Sequence, residues 1–150
     1  MTAVTPDIMV EGSMLRVLSF GRVQSKLHEL LADHRGQAAW WVELARQLDD
    51  LAETVAEAPG DLVDVEGFAE QIRSDAPHLM GRWLKLSGER ERLYHDVTEV
   101  RILTGQYAGD RTAVGAVSRA VRDVLARVRR FQERTTEVLL DAYERDMGGE

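Results

Sequence analysis

The most regular pattern in the chain lies in residues 114–142, VGAVSRAVRDVLARVRRFQERTTEVLLDA. Mostly apolar side chains recur in it at alternating steps of three and four, the spacing that lines one face of an α-helix. These positions are Val114, Val117, Val121, Val124, Val128, Phe131, Thr135, Val138 and Ala142. The pattern predicts one very long C-terminal helix, from about 112 to 147, which at 1.5 Å per residue is on the order of 50 Å long.

The rest of the chain repeats this spacing in separate segments. We expect helices over residues 13–34, 37–57, 64–75 and 77–103, divided by Arg35-Gly36, Ala58-Pro59-Gly60, Pro77 and Thr104-Gly105. Since short connections make neighbouring helices antiparallel, the fold class is predicted to be all-α, an elongated antiparallel helical bundle with coiled-coil seams. A flexible segment over residues 1–12 precedes a single domain over 13–150.

Two local features stay open in this prediction. Residues 8–20 are compatible with the start of a helix or with a short hairpin. The fourth helix contains Ser87-Gly88 in its middle. Glycine in a helix interior costs up to about 1 kcal/mol relative to alanine, so we expect a kink there or a restart capped by Ser87.

Composition excludes several classes of protein. The chain has 150 residues, of which 44% are apolar, and no cysteine, so disulfides, thiolate metal sites and cysteine nucleophiles are excluded. Its start lacks the basic residues of a signal peptide and no apolar run is long enough for a bilayer, so we expect a cytoplasmic protein. With 17 arginines, two lysines and no asparagine, the codon usage suggests a GC-rich bacterial genome.

Charge is distributed unevenly. Residues 43–75 carry ten acidic side chains against two arginines, and residues 111–134 carry seven arginines against two acidic side chains. The candidate basic face consists of Arg119, Arg122, Arg127, Arg129, Arg130 and Arg134. Three interpretations are open: pairing within the chain, docking of the acidic helix of one copy on the basic helix of another, and phosphate binding. Because these arginines fall at several heptad positions and the net charge is −7, the pattern argues against nucleic acid.

No catalytic or metal-binding motif emerges. Glu91, His95 and Glu99 follow one another at steps of four and could present two carboxylates and an imidazole to a metal. Di-metal bundles, however, take ligands from several helices and repeat a Glu-x-x-His spacing that this chain lacks. A glycine-flanked nucleophile and a phosphate loop are also missing. We therefore predict no catalytic residue, no cofactor and no metal site.

The predicted interface lies on apolar side chains outside the main seams. Trp40 lies at the edge of its seam, and Thr136, Leu140, Tyr143 and Met147 form a second stripe on the last helix. A helix that is apolar on two sides packs on two sides, so Trp40, Leu140, Tyr143 and Met147 are the interface candidates for a homodimer. The alternative is burial of this stripe against the first helix of the same chain.

The functional hypothesis rests on the predicted long helices with apolar stripes and on the lack of a catalytic motif in the sequence. It is a non-catalytic helical interaction protein (an adaptor, a scaffold or a chaperone-like subunit) with a protein partner of unknown identity. The alternatives are a nucleic-acid-binding regulator that uses the arginine-rich last helix, and a helical-bundle metalloprotein or enzyme whose residues converge only in three dimensions.

Overall fold

The computed structural model describes residues 21–33, 35–57 and 77–148, with side chains described as far as residue 141. All regular structure in these ranges is helical, which confirms the all-α fold class. Residues 21–32 are helical (α1), and three further helices follow: α2 (Ala38–Glu57), α3 (His78–Gln106) and α4 (Val114–Gly148). A 3₁₀ turn, Arg111–Ala113, leads into α4.

The last helix is not exceptional in length among the described helices. It begins at Val114 rather than near residue 112, because the Asp110 carboxylate accepts the Thr112 amide at 2.9 Å and caps the 3₁₀ turn first. It has 35 residues against 29 in α3, a difference of six. The expectation of one very long helix is therefore corrected to two long helices of similar length.

Of the two outcomes expected at Ser87-Gly88, the restart does not occur, because α3 continues through both residues. The Ser87 hydroxyl donates to the carbonyl of Trp83 at 3.4 Å, within the same helix, instead of capping a new one. Trp83 and Leu86 before the glycine, and Leu93 after it, are buried. This packing holds the helix together across the glycine, because burying each large apolar side chain contributes about 1.5–3 kcal/mol.

The predicted seams form the core. The eight described seam positions of α4, Val114 through Val138, are all buried. The seam of α2 is buried as well: Trp41, Leu44, Leu48, Leu51 and Val55. Since the exposed positions between them carry most of the charges, the spacing at steps of three and four correctly separates the inside of these helices from the outside.

The left-handed glycine predicted after the first helix is confirmed at Gly36, four residues after α1 ends at residue 32. Its φ of +64° lies in the left-handed region that glycine adopts without strain. The backbone there also passes close to α4, because a Cβ at this position would lie 2.5 Å from Val114 Cγ2. His34, residues 8–20 and the helix expected over 64–75 lie outside the described residues.

Three ion pairs join α3 to α4 at intervals of seven residues. They are Arg82–Asp141 at 2.6 Å, Glu89–Arg134 at 2.9 Å and Asp96–Arg127 at 2.9 Å. As the residue number rises along α3 it falls along α4, so these two helices run in opposite directions. The side chains are mostly exposed, and pairs of this kind contribute about 0.2–1 kcal/mol each, so they set the register more than the stability.

The remaining contacts place α1 against both α2 and α4. The Trp40 indole donates to the carbonyl of Leu30 at 2.7 Å, which ties α2 to α1. Gln24 donates to Gln132 at 2.7 Å, which ties α1 to α4. Because α2 packs on α3 and α3 packs on α4, the four helices close a ring of contacts in which α2 and α4 are diagonal.

Candidate protein-docking surface

The outer half of α4 carries the six arginines of the predicted basic face, and all six are exposed. The buried seam occupies the opposite half of this helix. The heptad positions that seemed to scatter the arginines are neighbours on this outer half, so the sequence interpretation of several separate faces is corrected. They form one surface.

A groove of about 330 Å³ runs between α3 and α4. Leu93 and Phe131, both buried, form its floor. Four arginines and two carboxylates line it: Arg92, Arg127, Arg130, Arg134, Glu89 and Asp96. The groove thus combines an apolar floor with an excess of two positive charges.

A second groove, of about 400 Å³, lies on the other side of the same helix, between α4 and α1. Its lining residues are Gln24, His28, Arg122, Leu125, Ala126, Arg129, Arg130 and Glu133. Arg130 lines both grooves and therefore stands on the ridge between them. The two grooves are consequently adjoining parts of one surface, centred on Arg130, which we call the arginine surface.

Some of these arginines are already paired within the chain. Arg127 and Arg134 belong to the ion pairs with α3 described above, and Arg129 lies 3.4 Å from Glu133. Arg92 and Arg130 make no hydrogen bond or ion pair with any residue in the described part of the chain. A guanidinium has five N–H donors in a planar fork, so these two arginines are free to bind a carboxylate or phosphate.

Arg92 was missed in the sequence because it lies on α3. Its position in the chain is 38 residues before Arg130, and only the antiparallel packing of α3 on α4 brings both to one groove. A signal did exist. Glu89 and Asp96, seven residues apart, match Arg134 and Arg127, also seven residues apart, and this matching would have indicated the register of the two helices.

The interface candidates have different outcomes. Trp40 is only 4% exposed, packs edge-on against Trp41 with ring centroids 4.9 Å apart, and donates its indole N–H to Leu30. It therefore has no surface for a partner and is corrected to a core residue. Leu140 is 55% exposed on the outer half of α4. The side chains of Tyr143 and Met147 lie outside the described residues.

The groups with shifted pKa values have local partners. Hydrogen bonds from Gln47 and Arg46 lower the pKa of Glu43, and hydrogen bonds from the Thr112 hydroxyl and amide lower the pKa of Asp110. A hydrogen bond to Asp33 raises the pKa of Arg35. These groups lie on α2 and near helix ends, away from the two grooves. Their shifts reflect helix structure rather than a reactive centre.

The described residues contain neither a metal-binding cluster nor a membrane-spanning helix. Within residues 21–33, 35–57 and 77–141, no three His, Asp or Glu side chains come together to hold a metal ion. Glu91, His95 and Glu99 are all exposed on α3. None of the described helices combines the length and the apolar character needed to cross a membrane.

Comparisons of the chain with protein-family models, with curated proteins and with solved structures found no match.

Proposed function

We propose that this chain is a non-catalytic helical interaction protein whose arginine surface docks an acidic segment of a protein partner. The observation that carries the proposal is the convergence of seven arginines, six from α4 and Arg92 from α3, on and around two adjoining grooves. Arg92 and Arg130 have no partner among the described residues. Both have donors available for a carboxylate.

The shape of the grooves favours an amphipathic helix as the docked segment. Such a helix places apolar side chains on a groove floor and polar ones on its rim, a common mode of peptide recognition. Leu93 and Phe131 supply the floor and Arg92 and Arg130 the rim. Exposed ion pairs contribute about 0.2–1 kcal/mol each, so several together, with some apolar contact, are needed for measurable binding.

Nucleic acid is the second candidate ligand, and one observation favours it: the basic side chains share one half of α4. Phosphate contacts dominate nucleic-acid affinity, so carboxylates on the same surface weaken it. Glu89, Asp96 and Glu133 line the same grooves as the arginines, and the whole chain has a net charge of −7. An acidic protein segment therefore remains the preferred partner.

The proposal includes the finer features predicted from the sequence. The bundle as a whole is elongated and antiparallel with coiled-coil seams, and the protein is cytoplasmic. It self-associates, with Leu140, Tyr143 and Met147 at or near the contact, and the homodimer predicted from the sequence is the smallest such assembly. Support for self-association comes from Leu140, which is exposed on the same outer half of α4 as the arginines.

The test is binding of fluorescent poly-L-glutamate, measured by anisotropy. We expect wild-type protein to bind it and R92E/R130E to lose binding at least about tenfold, because these two charges have no other partner. The matched control is R22E/R111E, which makes the same charge change at two exposed arginines outside both grooves. Circular dichroism checks that both variants remain folded.

A labelled 20-base-pair DNA duplex is measured beside it at about 50 and 200 mM salt, since phosphate binding weakens steeply over this range. Equal losses of poly-L-glutamate binding in the two variants contradict the proposal, because binding would then follow net charge alone. Tighter binding of the duplex than of poly-L-glutamate, lost in R92E/R130E, supports the nucleic-acid alternative instead.

A further inference from the structure

We infer that the acidic segment that docks on the arginine surface is α2 of a second copy of this chain, an inference that rests on the proposed function. The outer face of α2 carries Asp50, Glu53 and Glu57, all exposed. None of the three makes an ion pair within the described residues, and the α2 helix carries five acidic side chains against one arginine. The acidic face of one copy thus complements the arginine surface of another.

The positions on the two helices also match in a single antiparallel register. In this register Asp50 of one copy lies opposite Arg130 of the other. Glu57, seven residues after Asp50, then lies opposite residue 123, one position from Arg122. The same register brings two exposed apolar side chains together at the other end. Val42, eight residues before Asp50, lies opposite residue 138, two positions from Leu140 and within the same helical turn.

The two apolar side chains are an independent observation, because charge complementarity does not require them. Val42 is 69% exposed and Leu140 is 55% exposed. Contact between these two side chains removes apolar surface from water, which favours association. One register therefore buries an apolar pair at one end of the contact and neutralises acidic side chains at the other.

The assembly grows head to tail instead of closing as a two-fold dimer. Because α2 and α4 are diagonal in the bundle, their outer faces point in opposite directions. Two copies then form one α2–α4 contact at a time and leave a free acidic face and a free arginine surface at the ends. Such heterologous contacts produce rings or open filaments. A single pair of helices makes a small interface, so the contact is weak and depends on salt.

A cysteine pair tests the register, since the natural chain has no cysteine. Val42→Cys protein is mixed with Leu140→Cys protein under mild oxidation, and the disulfide-linked dimer is measured on non-reducing gels. We expect the mixture to cross-link at least about fivefold more than either variant alone, and about 0.5 M salt to suppress it by screening. The matched control replaces Leu140→Cys with Leu84→Cys, a 64% exposed leucine on α3. Equal cross-linking to that control overturns the register.

Sedimentation velocity tests the head-to-tail geometry. Wild-type protein should grow beyond a dimer as its concentration rises at low salt. R122Q/R130Q and D50N/E57Q should each stay monomeric, and their 1:1 mixture should stop at a dimer, since each supplies the face that the other lacks. A wild-type monomer at all concentrations overturns self-docking. If poly-L-glutamate still binds, the proposed function stands and the acidic partner is another protein. A closed wild-type dimer overturns the head-to-tail arrangement.

Discussion

Replacing Phe131 with alanine is the sharpest test of the packing described above. Phe131 is 2% exposed, belongs to the buried seam of α4 and forms part of the floor of the groove between α3 and α4. Burial and cavity effects together make Phe→Ala in a core cost about 3–5 kcal/mol. Water from the adjoining groove can fill part of the space that is left. We therefore expect the lower end of this range, about 3 kcal/mol.

The assay is urea unfolding followed by circular dichroism. With a slope of about 2 kcal/mol per molar urea, a loss of about 3 kcal/mol lowers the midpoint by about 1.5 M at unchanged slope. The matched control is Ile102→Ala, which shortens a 54% exposed side chain on α3 outside both grooves and should change stability by less than about 0.5 kcal/mol. A loss below about 1 kcal/mol for Phe131→Ala would mean that the seam is accessible to solvent in the isolated chain, contrary to the packing seen here.

Three further changes have expected outcomes. Gly36→Ala should destabilise the protein by more than about 1 kcal/mol in the same unfolding assay, because the position has positive φ and an added Cβ would lie 2.5 Å from Val114 Cγ2; unchanged stability would mean that the loop relaxes freely. Ser118→Ala should leave stability unchanged or raise it by up to about 1 kcal/mol, because the buried Ser118 hydroxyl has no hydrogen-bond partner among the described residues; a clear loss would reveal a hidden partner. The Asp110 pKa is lowered by Thr112, so its stabilisation is present above the pKa of an unfolded aspartate, about 3.9, and disappears as the pH falls through the lower folded value; Asp110→Asn should flatten the acid limb of the urea midpoint against pH, and an identical limb would argue against this contribution.

The helices could be predicted from the sequence because an α-helix with one buried face has apolar residues at regular steps of three and four. Val117, Val121 and Val124 are buried as their spacing required, and Gly36 adopts the left-handed conformation expected after α1. Local features of this kind depend on neighbours within a few residues. These local features can therefore be predicted from the sequence without knowledge of the fold.

The errors arose where contacts between helices outweighed local preference. Gly88 does not end α3, because Trp83 and Leu86 before it and Leu93 after it are buried in the core. Trp40 is buried although its position is at the edge of the seam, because α1 covers it and accepts its N–H through Leu30. The arginine surface was underestimated for the same reason, since Arg92 joins it only through the packing of α3 on α4.

Docking of an acidic segment on the arginine surface can be mapped residue by residue from amide chemical shifts during titration with poly-L-glutamate. We expect the perturbed amides to cluster in α4 between Arg119 and Arg134 and in α3 between Glu89 and Asp96, and about 0.5 M salt to abolish the changes. Perturbations that are absent there, or spread evenly over exposed arginines such as Arg22 and Arg111, would contradict docking at this surface.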